Sequence, residues 1–508
     1  MRTYFYKTLA PVVFCFVAFF TAEYVFELWR AGWPAVDATS WVNAPNNAKL
    51  VDLLSPIARA YNNVLAMLIA TIGLAIPLTA NMHTPKLIEM FIRDRVNQVV
   101  LFGGAFLAAN VLWVDYIIGP HFAPTIAIGL AVGGAMGGWA ILIPYFFYVV
   151  RFLDPSNILK RLDRDVIDVI DAVRAGKLDP DSGQTVVHER LQELGTIVVK
   201  SLDRTDRDIA LEGIWIFKRL LDYHGAAKSK MPAGWYVVDR ADFVGLSDEA
   251  IANVQEEKVF FERKVLQQLF FAYTHAIGKT ADVVSSISDA NRVVAEHAAR
   301  RGDEPALALS LRYFNNYLRE SVRVKHVRSI YDVFLQYRLL AEHLHDRPDV
   351  MRGVARNLAA YALDARAHGL PSVPSFAAFD LGAIAIDAYE AANETVGDDV
   401  LASVLTIEPT ALTSDEMIIQ ARLKLGASLL RLGKDSAADR VKRSLKDIPS
   451  ELLTRCTSEV LEAPRAFHEV TDRQVDLRWT PKSEHEYVTR FAELCAADRP
   501  SVMTPPRT

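Results

Sequence analysis

Apolar positions are concentrated in the first 150 residues and thereafter spread into a helical period. Four apolar runs, at about 9–29, 61–82, 99–119 and 124–150, each approach or exceed the roughly 20 residues that a bilayer-spanning helix needs. From Asp154-Pro155-Ser156 onward, apolar residues recur at three- and four-residue spacing, with charges between them, as in amphipathic helices packed on a core. The pattern predicts an all-α chain: a four-helix transmembrane domain over 1–153 and a large helical cytoplasmic domain over 154–508. Within the second part, helices are expected at about 183–224, 247–279, 280–301, 304–346 and 348–368. The GLPSVPS break at 369–375 divides it into two lobes near 370, and a second break falls near 406–414. Only GWYVVDR at 234–240 reads as strand or loop.

The polar gaps between the apolar runs set the orientation. Arg2 and Lys7 precede the first run, Lys86, Arg93 and Arg95 separate the second from the third, and Arg151, Lys160, Arg161 and Arg164 follow the fourth. Positively charged loops stay in the cytoplasm, and with four spans all three clusters lie on one side. Both termini are therefore expected to be cytoplasmic. No A-x-A site closes the first run, so it reads as an uncleaved anchor.

Charges inside the runs are the better functional clue, because a carboxylate at membrane depth is costly unless it faces water or a partner. Glu23 and Glu27 lie one helical turn apart on the first span, and Asp115 sits near the far end of the third. All three approach the outer face, either as an acidic mouth that attracts cations or as residues paired at the interface, with Arg30 beside Glu27. Gly129, Gly133 and Gly137 recur every four residues in the fourth span, with Gly134 and Gly138 as a second pair. Glycines at this spacing form a groove for close helix packing, within the chain or between subunits.

The stretch HTPKLIEMFIRDRVNQVVLF, 83–102, forms a charged elbow between the second and third spans. Thr84 and Pro85 mark a helix start, and Leu87, Ile88, Phe91 and Ile92 share an apolar face. The ordered string Thr84, Pro85, Lys86, Leu87, Phe91, Arg93, Asp94, Arg95 resembles the signature region of a large bacterial family of predicted integral membrane proteins of unknown function. The resemblance covers the second to fourth spans and implies a membrane core but no reaction. The chain departs from that pattern in ending its second span on LTANMH rather than a serine-rich stretch.

Composition supports this division. Of the 508 residues 51% are hydrophobic, and the formal net charge of -5 leaves no global basic surface for nucleic acid. Cys15, Cys456 and Cys495 are scattered, without a CxxC, so the soluble part is neither a disulfide scaffold nor a zinc module. No GxxxxGK[ST], HExxH or GxSxG is present. His343 and His345 with Asp346 close a long helix, where histidine suits the terminal dipole. The alternating charges of DRTDRD at 203–208 read as a solvated turn, and VRVKHVR at 322–328 reads as a basic helical stripe. No enzyme, cofactor or metal is expected. Two functions fit: a homo-oligomeric ion channel or transporter with a cytoplasmic helical vestibule, ranked first, or a membrane-anchored scaffold or regulatory protein that binds cytoplasmic partners.

Overall fold

A computed structural model describes residues 2–31, 48–82, 87–118, 122–238, 240–243, 245–409, 416–467 and 472–497. Among them the regular structure is helical, with no strand, in two compact units, Met1–Ile158 and Leu159–Thr508.

In the first unit, α1 spans Arg2–Arg30, α2 Ala48–Met82, α3 Leu87–Arg93, α4 Arg95–Ile117 and α5 Thr125–Leu153. Among the described residues, three stretches are long and apolar enough to cross a bilayer: Leu54–Asn81, Arg95–Ile117 and Thr125–Leu153. α1, which contains the first of the four expected spans, is helical over 29 residues and packs against α4 and α5. Helix α2 begins well before the expected Tyr61 and carries both Pro56 and Pro77. A buried seam joins α2, α4 and α5: Leu54, Ala58, Tyr61 and Leu65 meet Ala108, Val111 and Val114, and Ala127, Ala131 and Ala135. The small residues let the backbones approach closely, which is how helices gain packing energy where lipid is as apolar as leucine.

The second unit is a succession of antiparallel helical hairpins. After α6, Pro155–Arg174, come α7 Pro180–Asp203, α8 Arg207–Ala227, α9 Asp248–Glu256, α10 Phe260–Ala276, α11 Ala281–Arg301, α12 Glu304–Arg323 and α13 Val327–His343. These are followed by α14 Pro348–Ala367, α15 Val373–Glu390, α16 Glu394–Leu405, α17 Glu416–Arg431, α18 Asp435–Arg443, α19 Ser450–Glu462 and α20 His485–Ala497. Asp154 caps α6 as expected, accepting from the Ser156 amide at 3.1 Å. α15 packs against both α13 and α14 across the break near 370.

One turn recurs between these helices. Thr205, Lys258, Gly302, Lys325, Ala392 and Gly433 each adopt a left-handed φ between 55° and 70°. The residue that follows returns its amide to the carbonyl five positions back: Asp206 to Ser201 at 2.8 Å, Val259 to Val254 at 3.1 Å, and Asp303 to Ala298, His326 to Ser321, Asn393 to Ala388 and Lys434 to Leu429 at 2.9 Å. This is the Schellman closure of a helix end. The same residue is also the N-cap of the next helix, and Asp206, Asp303, His326 and Asn393 accept a first-turn amide on their side chains. One helix therefore ends and the next begins with only two or three residues between them.

These turns explain where the expected boundaries fail. The ranges 183–224, 247–279 and 304–346 are each two helices, split at Thr205, Lys258 and Lys325, because a turn without glycine carries no break signal. VRVKHVR is therefore the turn between α12 and α13, not a continuous helical stripe. GWYVVDR is not a strand: Ala233–Tyr236 is a short 3-10 helix.

A non-glycine residue in the left-handed region pays roughly 1–2 kcal/mol, while glycine adds about 0.5–1 kcal/mol of unfolded-chain entropy. Lys325→Gly should therefore raise stability by roughly 0.5–1 kcal/mol, read as a higher denaturation midpoint of the full chain. Gly302→Ala should lower it by about 1 kcal/mol.

Candidate functional site

The acidic residues of the first unit fasten its helices to one another. Helix α5 starts after Pro124, whose side chain cannot cap it, so its first amides need an acceptor from elsewhere. Glu27 of α1, 2% exposed, supplies it: one carboxylate oxygen accepts from the amides of Ile126 and Ala127 at 2.8 and 2.9 Å. A negative charge there also complements the positive end of the α5 dipole. Arg30 holds the other oxygen at 3.2 Å and donates to the Thr125 hydroxyl. Glu23, one turn back, accepts from the buried Asn110 of α4 at 3.0 Å, and its other oxygen is buried without a hydrogen-bond partner. Asp115 of α4 accepts from Ser55 of α2 at 2.9 and 3.0 Å. The three carboxylates thus lie at the end of the bundle where α1 and α4 finish and α5 begins, each bonded to a different helix.

The elbow is built at the opposite end. Thr84, Pro85 and Lys86 lie outside the described residues. Leu87 and Phe91 are buried, and Phe91 meets Phe152 of α5 edge to face at 5.5 Å. Asp94 is the residue between the two helices of the elbow. Its extended backbone separates α3 from α4, its carboxylate caps α4 through the Val96 and Asn97 amides at 3.0 and 3.2 Å, and Tyr148 donates to it at 2.7 Å. Arg93 pairs instead with Glu89 at 2.6 Å, and Arg95 is exposed.

The two glycine sets of α5 part company. A side chain at Gly138 would collide with Tyr61 at 2.5 Å and one at Gly134 with Leu107 at 2.8 Å, so this pair packs inside the unit. Gly129, Gly133 and Gly137 are exposed, with open space beyond them. The physical reason is angular: the buried seam follows Ala127, Ala131 and Ala135, and a two-residue offset turns about 200° around a helix.

The second unit contains the most elaborate polar site, a cleft of about 510 Å³ among α13, α15, α17 and the segment 472–477. Ala466 and Val475 bridge antiparallel, so the chain after α19 doubles back and carries Arg473 into the core. There Arg473 donates to both oxygens of Asp380 at 2.7 and 2.5 Å, and its guanidinium lies 4.2 Å from the Tyr331 ring centre. Burial works against this charge, but the Asp380 carboxylate outweighs it and holds Arg473 above its ordinary value. Arg338 stands 3.2 Å from Asp380 and donates to Glu342 at 2.8 Å.

Lys424 donates to the carbonyls of Leu477 and Trp479 at 3.0 and 2.6 Å, and burial pushes its ammonium down to about 8. Burial pushes the carboxyls of Glu342 and Asp387 up, against the lowering influence of Arg338 on the first and of His345 and His343 on the second. One oxygen of Asp387 is buried with no hydrogen-bond partner. The arrangement can therefore accept hydrogen bonds from a positively charged group.

None of these cleft residues follows from a motif. Asp380 and Asp387 lie in α15, which is otherwise nearly apolar, and that exception is a readable signal. Arg473 carries none, because its partner is 93 residues away. His343 and His345 do close their helix, with Nδ1 atoms 2.8 and 3.2 Å from the carbonyl oxygens of Leu339 and Glu342. In the 203–208 turn, Asp203 faces His275 and Lys279, and Arg207 pairs with Asp282.

Breaking a buried ion pair strands a charge and costs about 3–5 kcal/mol, whereas replacing both partners by apolar residues is often neutral. Arg473→Met should therefore lower the unfolding free energy by about 3–5 kcal/mol, and adding Asp380→Leu should recover most of it in the same denaturant titration.

No curated protein matches the chain. Among solved structures, a circular tandem repeat protein with novel repeat topology and enhanced subunit contact surfaces aligns with a TM-score of 0.35 and 12% identity, covering 88% of this chain and 96% of that one. A family described as "Predicted membrane protein (DUF2254)" matches residues 2–202, so the resemblance carried by the elbow is to a membrane-protein family of unknown function and the chain is a membrane protein in contact with lipid.

Proposed function

We propose that the protein is a membrane-anchored binding protein whose helical unit captures a basic side chain of a partner protein in the cleft at Asp387 and Glu342. The observation that carries this reading is the buried, unpartnered oxygen of Asp387, in a carboxylate set close enough to Glu342 that its charge adds to burial in raising the Glu342 carboxyl. The three cations of the cleft are already committed: Arg473 and Arg338 to Asp380 and Glu342, and Lys424 to two carbonyls. What remains is acceptor capacity, which suits an ammonium or guanidinium donor. The reading involves no catalysis, because the charged groups hold one another and the backbone rather than a nucleophile and its base. The positively charged gaps between the spans favour a partner on the cytoplasmic side.

A fluorescent peptide bearing lysine and arginine should bind the detergent-solubilised chain saturably, and an acidic peptide of equal length should not. Glu342→Gln with Asp387→Asn should weaken binding at least about tenfold, equivalent to 1.4 kcal/mol. Both carboxyl values are raised, so they take up protons at a higher pH than ordinary carboxylates do. Binding should therefore be complete at neutral pH and fall on acidification before an exposed carboxylate would titrate. Equal binding by the doubly substituted chain would refute the reading.

The channel reading keeps one specific support: the open glycine face of Gly129, Gly133 and Gly137, which suits close approach of a second copy. Of its pathway carboxylates, Glu27 and Asp115 are bonded between helices, whereas Glu23 keeps one buried oxygen without a partner. On that reading, liposomes containing the protein conduct ions, and Gly133→Leu abolishes the flux and reduces the detergent-solubilised particle to a single chain. Flux that survives the substitution would count against this assembly.

A further inference from the structure

A second group of side chains in the helical unit has the composition of a metal site. Glu416 and Gln420 are one turn apart on α17, and Cys456 and Glu459 are nearly one turn apart on α19, so each pair shares a helix face. The Cys456 sulfur and one carboxylate oxygen each from Glu416 and Glu459 lie within 4.8 Å of one another. In a tetrahedral zinc site, with bonds of about 2.3 Å to sulfur and 2.0–2.2 Å to oxygen, ligand atoms stand about 3.3–3.6 Å apart. Side-chain motion of about 1 Å closes the difference.

A separate observation points into the same space. Gln420 is 2% exposed, its amide nitrogen donates to Glu459, and its amide oxygen is buried with no hydrogen-bond partner. Burying a polar atom without a partner costs about 1–3 kcal/mol. The amide already faces Glu459, and a half-turn exchanges its oxygen and nitrogen, so a cation held at Glu459 would draw the unpartnered oxygen toward itself.

We infer that Glu416, Gln420, Cys456 and Glu459 form a site for a thiophilic divalent cation of the zinc type, clamping α17 to α19. On binding, the metal–sulfur bond replaces the S–H bond of Cys456 and the proton passes to solvent, with no change of oxidation state. Without a cation the thiol is held protonated: burial pushes it up to about 12, and Glu459 and Glu416 add to the effect. A divalent charge reverses both causes. Arg455, paired with Glu416 at 2.6 Å and 58% exposed, returns readily to water when the carboxylate turns to the metal.

The test uses the full chain in detergent, stripped with chelator, in a Cys15→Ser, Cys495→Ser background that leaves Cys456 as the sole thiol. Titration with cadmium chloride should give one ion per chain, a cadmium–thiolate charge-transfer absorbance and release of one proton, and competing zinc chloride should then displace the cadmium and remove the absorbance with no further change in protons. Cys456→Ser should abolish the absorbance. Glu459→Gln, which keeps both thiol and volume, should weaken binding at least about tenfold, as loss of a metal-site partner does. A chain that is helical by circular dichroism yet shows no such absorbance, or binds cadmium equally with Glu459→Gln, would overturn the assignment.

Discussion

Every helix leaves four amides and four carbonyls without partners inside itself, and satisfying those ends is the constraint on which the rest of this structure depends. In the membrane unit carboxylate side chains are brought to those ends. Glu27 serves the start of α5 from α1, and Asp94 serves the start of α4 while Tyr148 of α5 holds it in place. In the helical unit the backbone solves the same problem through the left-handed turn that closes one helix and caps the next.

This constraint changes what the intramembrane charges mean. A carboxylate at membrane depth signals either a pathway or a structural bond, and residue type does not distinguish the two. Glu27, Glu23 and Asp115 are each drawn to a different partner helix, which places their negative charge in the service of assembly. The cleft of the second unit presents the opposite balance. Its cations are consumed by internal bonds, and carboxylate oxygens are left over beside Asp387.

The legible parts of the fold were those governed by local rules. Apolar length announced α2, α4 and α5, and the Asp154-Pro155-Ser156 cap announced α6. Glycine marks the turns at Gly302 and Gly369, just after the expected ranges 280–301 and 348–368. Thr205, Lys258, Lys325 and Ala392 adopt the same backbone without the residue that usually signals it, so α7 with α8, α9 with α10, and α12 with α13 read as single helices. The candidate site was less legible. Asp380 and Asp387 stand out in an apolar helix, whereas Arg473 and Lys424 acquire their roles only from segments far away in the chain.

The sequence by itself determined that an apolar third precedes a charge-patterned helical remainder, because hydropathy and helical period are properties of neighbouring residues. It also determined that the glycines of α5 form two stripes. Only the tertiary structure decided which stripe packs inside, which carboxylate caps which helix, and that Arg473 neutralises Asp380. These outcomes rest on contacts between distant segments, where burial removes water and leaves each polar group to find its partner in three dimensions.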